Sequence, residues 1–480
     1  MNATATNTSR TILAVIAGLL ALVGASYFLI AGQANGSKTI TALSLGIAVA
    51  PLAIYGALRK PLLFPLCLFV FFIPFDELLI LPGFGTLTRL LAVLSGAAIA
   101  FWLIRTKRVT QPPKSLFFWL LLFVWMLLTI FWAIDPSLAV SRVATFIQLF
   151  LLYAVVCLVP ATLADLKAVV TASVIGGSIG AGYGAYYLHE NFNKIMRVLL
   201  TNGQNVMDPN HFGAALILPV AIVTVFALSS RSMFVKVLFI ALDVILFAGI
   251  YASGSRGSFV AVAVVFLYLF WASRQRLQLA LVAAFGIAAS FFTPTSIWFR
   301  FQHALSSGGA GREDIWHVGY AAFKQYWFLG AGLENFTLAY DRAYLQAFQQ
   351  FPEGWSRAAH SLIFQYGVEL GIVGLILMLA AWLVQYSILN RIGRDSNLYI
   401  YRMMAQSSLL GLFSAAMFLD VMYRKYTWLT FMVGALVYAA WKDEQHRKLQ
   451  VVPGPIELTE ASIGSRPSQP SVTRVGELAK

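Results

Sequence analysis

Charge is scarce in this sequence. Asp, Glu, Lys and Arg make up only 11% of its 480 residues, where a soluble domain carries about a quarter, and so few ionisable groups cannot cover a water-facing surface. Cysteine is nearly absent. Cys67 and Cys157 both fall inside apolar runs, which excludes a disulfide framework or a cysteine metal site and leaves two small hydrophobes. The HExxH, CxxC, Walker and GxGxxG signatures do not occur, nor does a DxD pair of the kind that holds a metal on a sugar nucleotide; no metal and no cofactor are expected. Acidic residues are the scarcer sign, 20 against 34 basic, for a net charge of +14. In so apolar a chain that excess reads as basic loops held on the cytoplasmic side of a membrane, not as a nucleic-acid surface.

Apolar runs are what the chain has in abundance. It is 59% hydrophobic with a mean hydropathy of +0.76, and many runs approach the ~20 residues that cross a ~30 Å hydrocarbon core as a helix. Spans are expected near 11–31, 39–57, 61–74, 87–104, 116–133, 140–159, 167–187, 211–228, 234–251, 257–272, 278–293, 361–386, 402–419 and 424–441. The fold class is therefore an all-α polytopic membrane protein with about 12–14 transmembrane helices. The first run follows MNATATNTSR without a cleavage motif and reads as a retained span. The organisation predicted is a bundle over 1–293, a loop of about 67 residues over 294–360 with helix-compatible segments at 315–328 and 336–351, further spans over 361–441, and a polar, Pro/Ser-rich tail over 442–480.

Alternate loops differ in charge. One set carries Arg59, Lys60, Arg105, Lys107, Arg108, Lys114, Arg231, Lys236, Arg274, Arg276, Arg391, Arg394 and Arg402, together with Arg10 and the C-terminal Lys442, Arg447 and Lys448. By the positive-inside rule this set and both termini are cytoplasmic. Four polar stretches then emerge together on the opposite face: MDPNHFG (207–213), SGSRGS (253–258), GGAGREDIWH (308–317) and RAAHS (357–361).

Each stretch has a chemical reading and a bland one. Arg256, among small residues at a helix start, makes an anion site with the free N–H groups there; alternatively it is an interfacial arginine touching lipid phosphate. Arg312 opens another helix after G-G-A-G and offers the same combination, unless Glu313 or Asp314 pairs with it. Asp208 and Pro209 are the N-cap and first residue of a helix, while Asn210 and His211 are polar at a span entrance without such an explanation. His360 is the best catalytic candidate, since imidazole transfers protons near neutrality; its bland reading is a hydrogen-bonded anchor. Asp243 and Glu369 fall within spans, where acids are costly and mark function. For Asp243 a hydrogen bond to a neighbouring helix is the simpler account, and a transporter reading the competing one.

The motifs G-x-G-R-x-D-I-W, F-L-G-A-G-L-E-N-F and A-A-H-S-L-I-F-Q-Y-G-V-E-L-G-I-V-G, with D-P-N-H-F-G and S-G-S-R-G-S upstream, together resemble the signature region of the O-antigen ligase and polymerase superfamily over roughly 205–385. The resemblance implies a GT-C-like membrane glycosyltransferase at the periplasmic face of the bacterial inner membrane. It implies a metal-free transfer of glycan from undecaprenyl diphosphate to an acceptor hydroxyl: the lipid A–core in a ligase, another lipid-linked unit in a polymerase, a protein in an O-glycosylation enzyme. It assigns Arg256 and Arg312 to the diphosphate and His360 to catalysis. Asn210, His211, Asp314 and Glu369 are expected to support the cavity, and Trp316, Tyr320, Trp327 and Trp355 to line a sugar path or anchor the interface. A polysaccharide flippase is the alternative of another class, and a membrane protein without chemistry a third.

Overall fold

The computed structural model describes residues 54–81, 85–191, 197–198, 200, 206–280, 312–347 and 355–450. The expected run 11–31 and most of 39–57 and 278–293 lie outside the described residues. Within them the chain is a helical bundle, in chain order α1 (Leu66–Phe72), α2 (Leu87–Thr106), α3 (Ser115–Leu128), α4 (Pro136–Leu158), α5 (Leu163–Glu190), α6 (Pro209–Ala215), α7 (Ile217–Ser229), α8 (Met233–Ser253), α9 (Arg256–Ala272), α10 (Arg312–Tyr326), α11 (Phe336–Ala347), α12 (Leu362–Ile388), α13 (Tyr399–Ala416) and α14 (Lys425–Gln450). Seven described helices are long and apolar enough to cross a membrane: Leu87–Thr106, Ser115–Trp132, Pro136–Leu158, Leu163–Glu190, Pro209–Ser229, Met233–Ser253 and Leu362–Arg391. The protein is a multi-pass, all-α membrane protein; a two-residue ribbon pairing β1 (Ile80–Leu81) with β2 (Gly85–Thr86) is the one sheet among the described residues.

Proline sets the departures from the expected spans. The run at 61–74 yields only α1 and a 3₁₀ turn over Ile73–Phe75, because Pro65 stands at the cap of one and Pro74 within the other. Pro219 has no N–H for the carbonyl of Ala215, and the expected span at 211–228 is accordingly two helices joined at Leu216. At the other end of the chain α14 continues to Gln450, past the expected boundary at 441.

Hydrogen bonds between elements sort the helix ends into two sets. At one end Lys425 pairs with Asp76, the Ile134 N–H donates to the Ala331 carbonyl and the Val198 N–H to the Ala252 carbonyl. At the other the Thr110 N–H donates to the Leu158 carbonyl, Tyr399 to the Ala272 carbonyl and Ser396 to Glu444. The lysine- and arginine-rich loops lie at this second end. The described residues of the polar stretches, 207–213, 253–258, 312–317 and 357–361, lie at the first.

Small residues on α5 let its neighbours approach closely, a packing suited to membranes, where burial from water cannot drive association. A Cβ on Gly176 would stand 2.2 Å from the Phe71 carbonyl oxygen, one on Gly180 2.9 Å from Pro74, and one on Gly184 2.8 Å from Phe212. Asp243, on α8, is buried and accepts hydrogen bonds from Thr224 of α7 at 3.1 and 3.2 Å, as the simpler account required. Gly176→Ala is expected to destabilise the protein by about 1–3 kcal/mol, the usual cost of overpacking. Gly96→Ala, whose Cβ meets only Leu152 at 3.9 Å, is expected to be neutral or stabilising by up to about 1 kcal/mol. Thermal unfolding in detergent compares them, and equal midpoints would show that the Phe71 contact does not hold the bundle.

Candidate functional site

The SGSRGS stretch is a tight turn between antiparallel helices. Ser253 ends α8, Gly254 takes the left-handed conformation (φ +56°) that reverses the chain, and Ser255 caps α9 by accepting from the Ser258 N–H at 3.3 Å. Arg256 is thereby the first residue of α9. The DPNHFG stretch packs directly on this turn: a Cβ on Gly213 would lie 2.6 and 2.7 Å from the hydroxyls of Ser258 and Ser253, so glycine is needed for the approach. Asp208 caps α6 by accepting from the N–H groups of Asn210 (2.7 Å) and His211 (3.4 Å), with Pro209 in the first turn.

Two helices of the 294–360 loop, α10 and α11, close over this end. They share a small core of their own that includes Ile315, Val318, Phe336 and Tyr340 and reaches Val368 of α12. Trp316 donates to the Ala359 carbonyl at 3.0 Å and stacks on Phe364 at 5.9 Å, which ties Arg312, one turn earlier on α10, to the segment carrying His360. Trp316 is thus a strut, while Tyr320, Trp327 and Trp355 are each more than half exposed.

The result is a cavity of about 280 Å³ lined by Arg197, Asn210, Arg256, Arg312, Arg357 and His360, with Ser255, Gly257 and Ser258 of the turn and Ile315, Ala415, Phe418 and Leu419 as its apolar wall. Asn210, Arg256, Arg312 and His360, drawn from all four stretches, come together here. His211, Asp314 and Glu369 do not line it. His211 is buried and its Nδ1 lies 2.9 Å from the Tyr426 hydroxyl. Asp314 is half-buried on α10. Glu369 is fully enclosed in α12, where Gln365 donates to it at 3.3 Å.

Two charged lining residues were not singled out by sequence reasoning. Arg197 donates through Nε to the Ser253 carbonyl (2.9 Å) and through Nη2 to Asn210 Oδ1 (2.8 Å), bracing both stretches. Nothing in MRVLL signals this. Arg357 stands three residues before His360 in a stretch already noted for it, so its spacing was a usable signal. Among the described residues the lining holds four guanidinium groups and no carboxylate. Three ion pairs also stand at this end, Arg142 with Glu334, Arg424 with Glu77 and Lys425 with Asp76. Behind the wall, burial raises the Asp420 carboxyl to about 6 against the pull of Arg424.

His360 holds a left-handed backbone (φ +46°) immediately before the Ser361 cap of α12. Shielding by the cavity walls, then Arg312 and Arg357, push its imidazole below the ordinary 6.5, with Asp208 opposing. The ring is therefore neutral at pH 7 and able to accept a proton. A histidine-labelled NMR titration in nanodiscs is expected to place its midpoint below 6.5. Arg357→Gln removes a cation that disfavours imidazolium, so the midpoint is expected to rise; an unmoved midpoint would separate the two side chains electrostatically.

Compared with known families, residues 241–379 match Wzy_C, described as O-antigen ligase. The match bears out the resemblance to that superfamily and supports a glycosyltransferase-type function. It spans Arg256, Arg312, Arg357 and His360, whereas Arg197 and Asn210 lie outside it. No curated protein matches the chain.

Proposed function

We propose that this O-antigen-ligase-like chain moves a glycan from undecaprenyl diphosphate to an acceptor hydroxyl, at the periplasmic face of the bacterial inner membrane and without a metal. The observation that carries this reading is the single cavity holding four guanidiniums and His360, at the end of the bundle away from the basic loops. With those loops cytoplasmic, both termini are cytoplasmic and the cavity is periplasmic.

The chemistry follows from charge. A lipid diphosphate diester carries two negative charges, and its departure from the anomeric carbon adds a third. Fixed cations in a site of restricted water stabilise that developing charge strongly, because they need no reorganisation during the reaction. Arg256 and Arg312 hold the diphosphate, with Arg197 and Arg357 completing the cationic wall. His360 takes the proton of the acceptor hydroxyl as its oxygen bonds to the anomeric carbon; the bond to the diphosphate oxygen breaks and undecaprenyl diphosphate leaves with that electron pair. Direct attack by one hydroxyl inverts the anomeric centre.

Among superfamily activities the reading favoured is ligation onto lipid A–core, with glycan polymerisation and protein O-glycosylation as its relatives. Transport is disfavoured by Asp243, whose carboxylate is bound to Thr224 between two helices and lines neither cavity described at this end.

Purified protein supplied with lipid-linked glycan and candidate acceptors, in EDTA, tests the proposal. Transfer and undecaprenyl diphosphate release are expected to survive the chelator. They are expected to fall about 10²–10⁴-fold in His360→Ala, the usual worth of a general base, and about 10²–10³-fold in Arg312→Ala. Activity equal to wild type in both folded variants would remove these residues from the reaction.

A further inference from the structure

A second cavity, about 550 Å³ and more open than the first, adjoins it at the same end of the bundle. Its walls are Glu77, Ile80 and Thr86 from the β1–β2 region and Val206, Met207, Asp208 and Pro209 from the segment leading into α6. The two cavities meet along one stretch of chain: Asp208 and Pro209 line the second, and the next residue, Asn210, lines the first. Asp208 also acts electrostatically on His360, which itself lines the first cavity.

The groove is held open by an ion-pair frame. Arg424 pairs with Glu77 Oε1, Glu77 Oε2 accepts from the Asp208 N–H at 3.1 Å, and Lys425 holds Asp76 at 2.7 and 2.8 Å and Thr86 at 3.1 Å. The frame ties the β1–β2 region and the 206–209 segment to the start of α14.

Its lining chemistry is opposite to that of the first cavity. Among the described residues, two carboxylates and one threonine hydroxyl stand beside Ile80, Val206, Met207 and Pro209; Arg424 and Lys425 of the frame bond to Glu77 and Thr86 and do not line it. Burial acts to raise the Asp208 carboxyl, but His211, the two capping N–H groups and Arg197 hold it below the ordinary value, so it is an anion at neutral pH. An ionised carboxylate only accepts hydrogen bonds and offers about four lone-pair sites. With Glu77 neutralised by Arg424, it is the Asp208 carboxylate that accepts from hydroxyl groups and disfavours phosphate, a discrimination made as much by the repulsive contact as by the attractive one. Apolar side chains beside carboxylates match a sugar ring, whose C–H face is apolar and whose rim is hydroxyl-bearing. The volume lies within the ~300–1,000 Å³ typical of small-molecule sites.

We propose that this groove is the acceptor subsite and that it takes an uncharged, hydroxyl-bearing glycan segment, presenting one hydroxyl to His360 while the anionic donor occupies the arginine cavity. This rests on the transferase reading above; the binding measurement below does not.

Ile80 and Val206 are 40% and 58% exposed and stand in different elements of the groove wall, so Ile80→Trp and Val206→Trp each fill it without disturbing the core. Saturation-transfer NMR on the full chain in nanodiscs, with a neutral hexose oligosaccharide and its phosphorylated counterpart as probes, reads binding directly. The neutral probe is expected to bind wild type, to lose about tenfold or more in affinity in both variants, and to outcompete the phosphorylated probe. In the transfer assay the acceptor KM is expected to rise about tenfold in the variants while the donor KM stays unchanged. Neutral-probe binding that is absent from wild type, equal in all three proteins, or weaker than that of the phosphorylated probe would overturn the proposal. Lack of transfer with groove binding intact would instead sink the transferase reading and leave the glycan site standing.

Discussion

A helix broken inside a membrane exposes main-chain polar groups that no solvent can satisfy, and the architecture of this protein's working end depends on how one such break is filled. α12 is interrupted at Gly371, which adopts φ +66°. The segment between α10 and α11 inserts there. The Ala331 N–H donates to the Val368 carbonyl (2.8 Å), the Gly332 N–H to the Glu369 carbonyl (2.9 Å), and the Ile372 N–H to the Trp327 carbonyl (2.7 Å). From the bundle side, Trp125 donates to the Leu370 carbonyl at 2.8 Å. A Cβ on Gly330 would stand 2.2 Å from the Glu369 carbonyl oxygen, so backbone meets backbone with nothing between.

That insertion turns part of a long extramembrane loop into a structural member. With its middle fixed in α12, α10 is held over the bundle, and the Trp316 bond to Ala359 carries the constraint to His360. Arg312 and His360 are 48 positions apart in sequence, yet they share a wall because both flanks of the loop are pinned to one helix. The cost of bringing four guanidiniums into one small volume is met in the same way. Arg197 is braced by Ser253 and Asn210, and Arg256 is carried on the first turn of a capped helix. A cavity so preorganised is suited to an anion whose charge grows during reaction, the condition under which fixed dipoles and cations contribute most.

The acid-lined groove gives the site an electrostatic division. The segment 206–210 is shared by both cavities, with its acid on one side and its amide on the other. In the proposed transfer a donor diphosphate and an acceptor hydroxyl have opposite requirements, which a single capped helix start would separate.

Much of this was legible in one dimension. Span length and scarce charge determined the fold class, since a helix crossing hydrocarbon must be long and apolar whatever it packs against. The parity of basic loops placed four distant polar stretches at one end, which the inter-element hydrogen bonds reproduce. Asp208 as a cap and Asp243 as a helix-to-helix bond also followed from local rules. Arg197 did not, because its neighbours in sequence say nothing of the Ser253 carbonyl and Asn210 amide that orient it. Glu369 looked like a member of the site because an acid within a span marks function, but the turn of α12 carries it into the interior. The sequence by itself determined which end of the molecule holds the chemistry. Which side chains share a cavity there was decided only by tertiary structure, because side-chain direction depends on how helices pack, and packing is set by contacts between residues far apart in the chain.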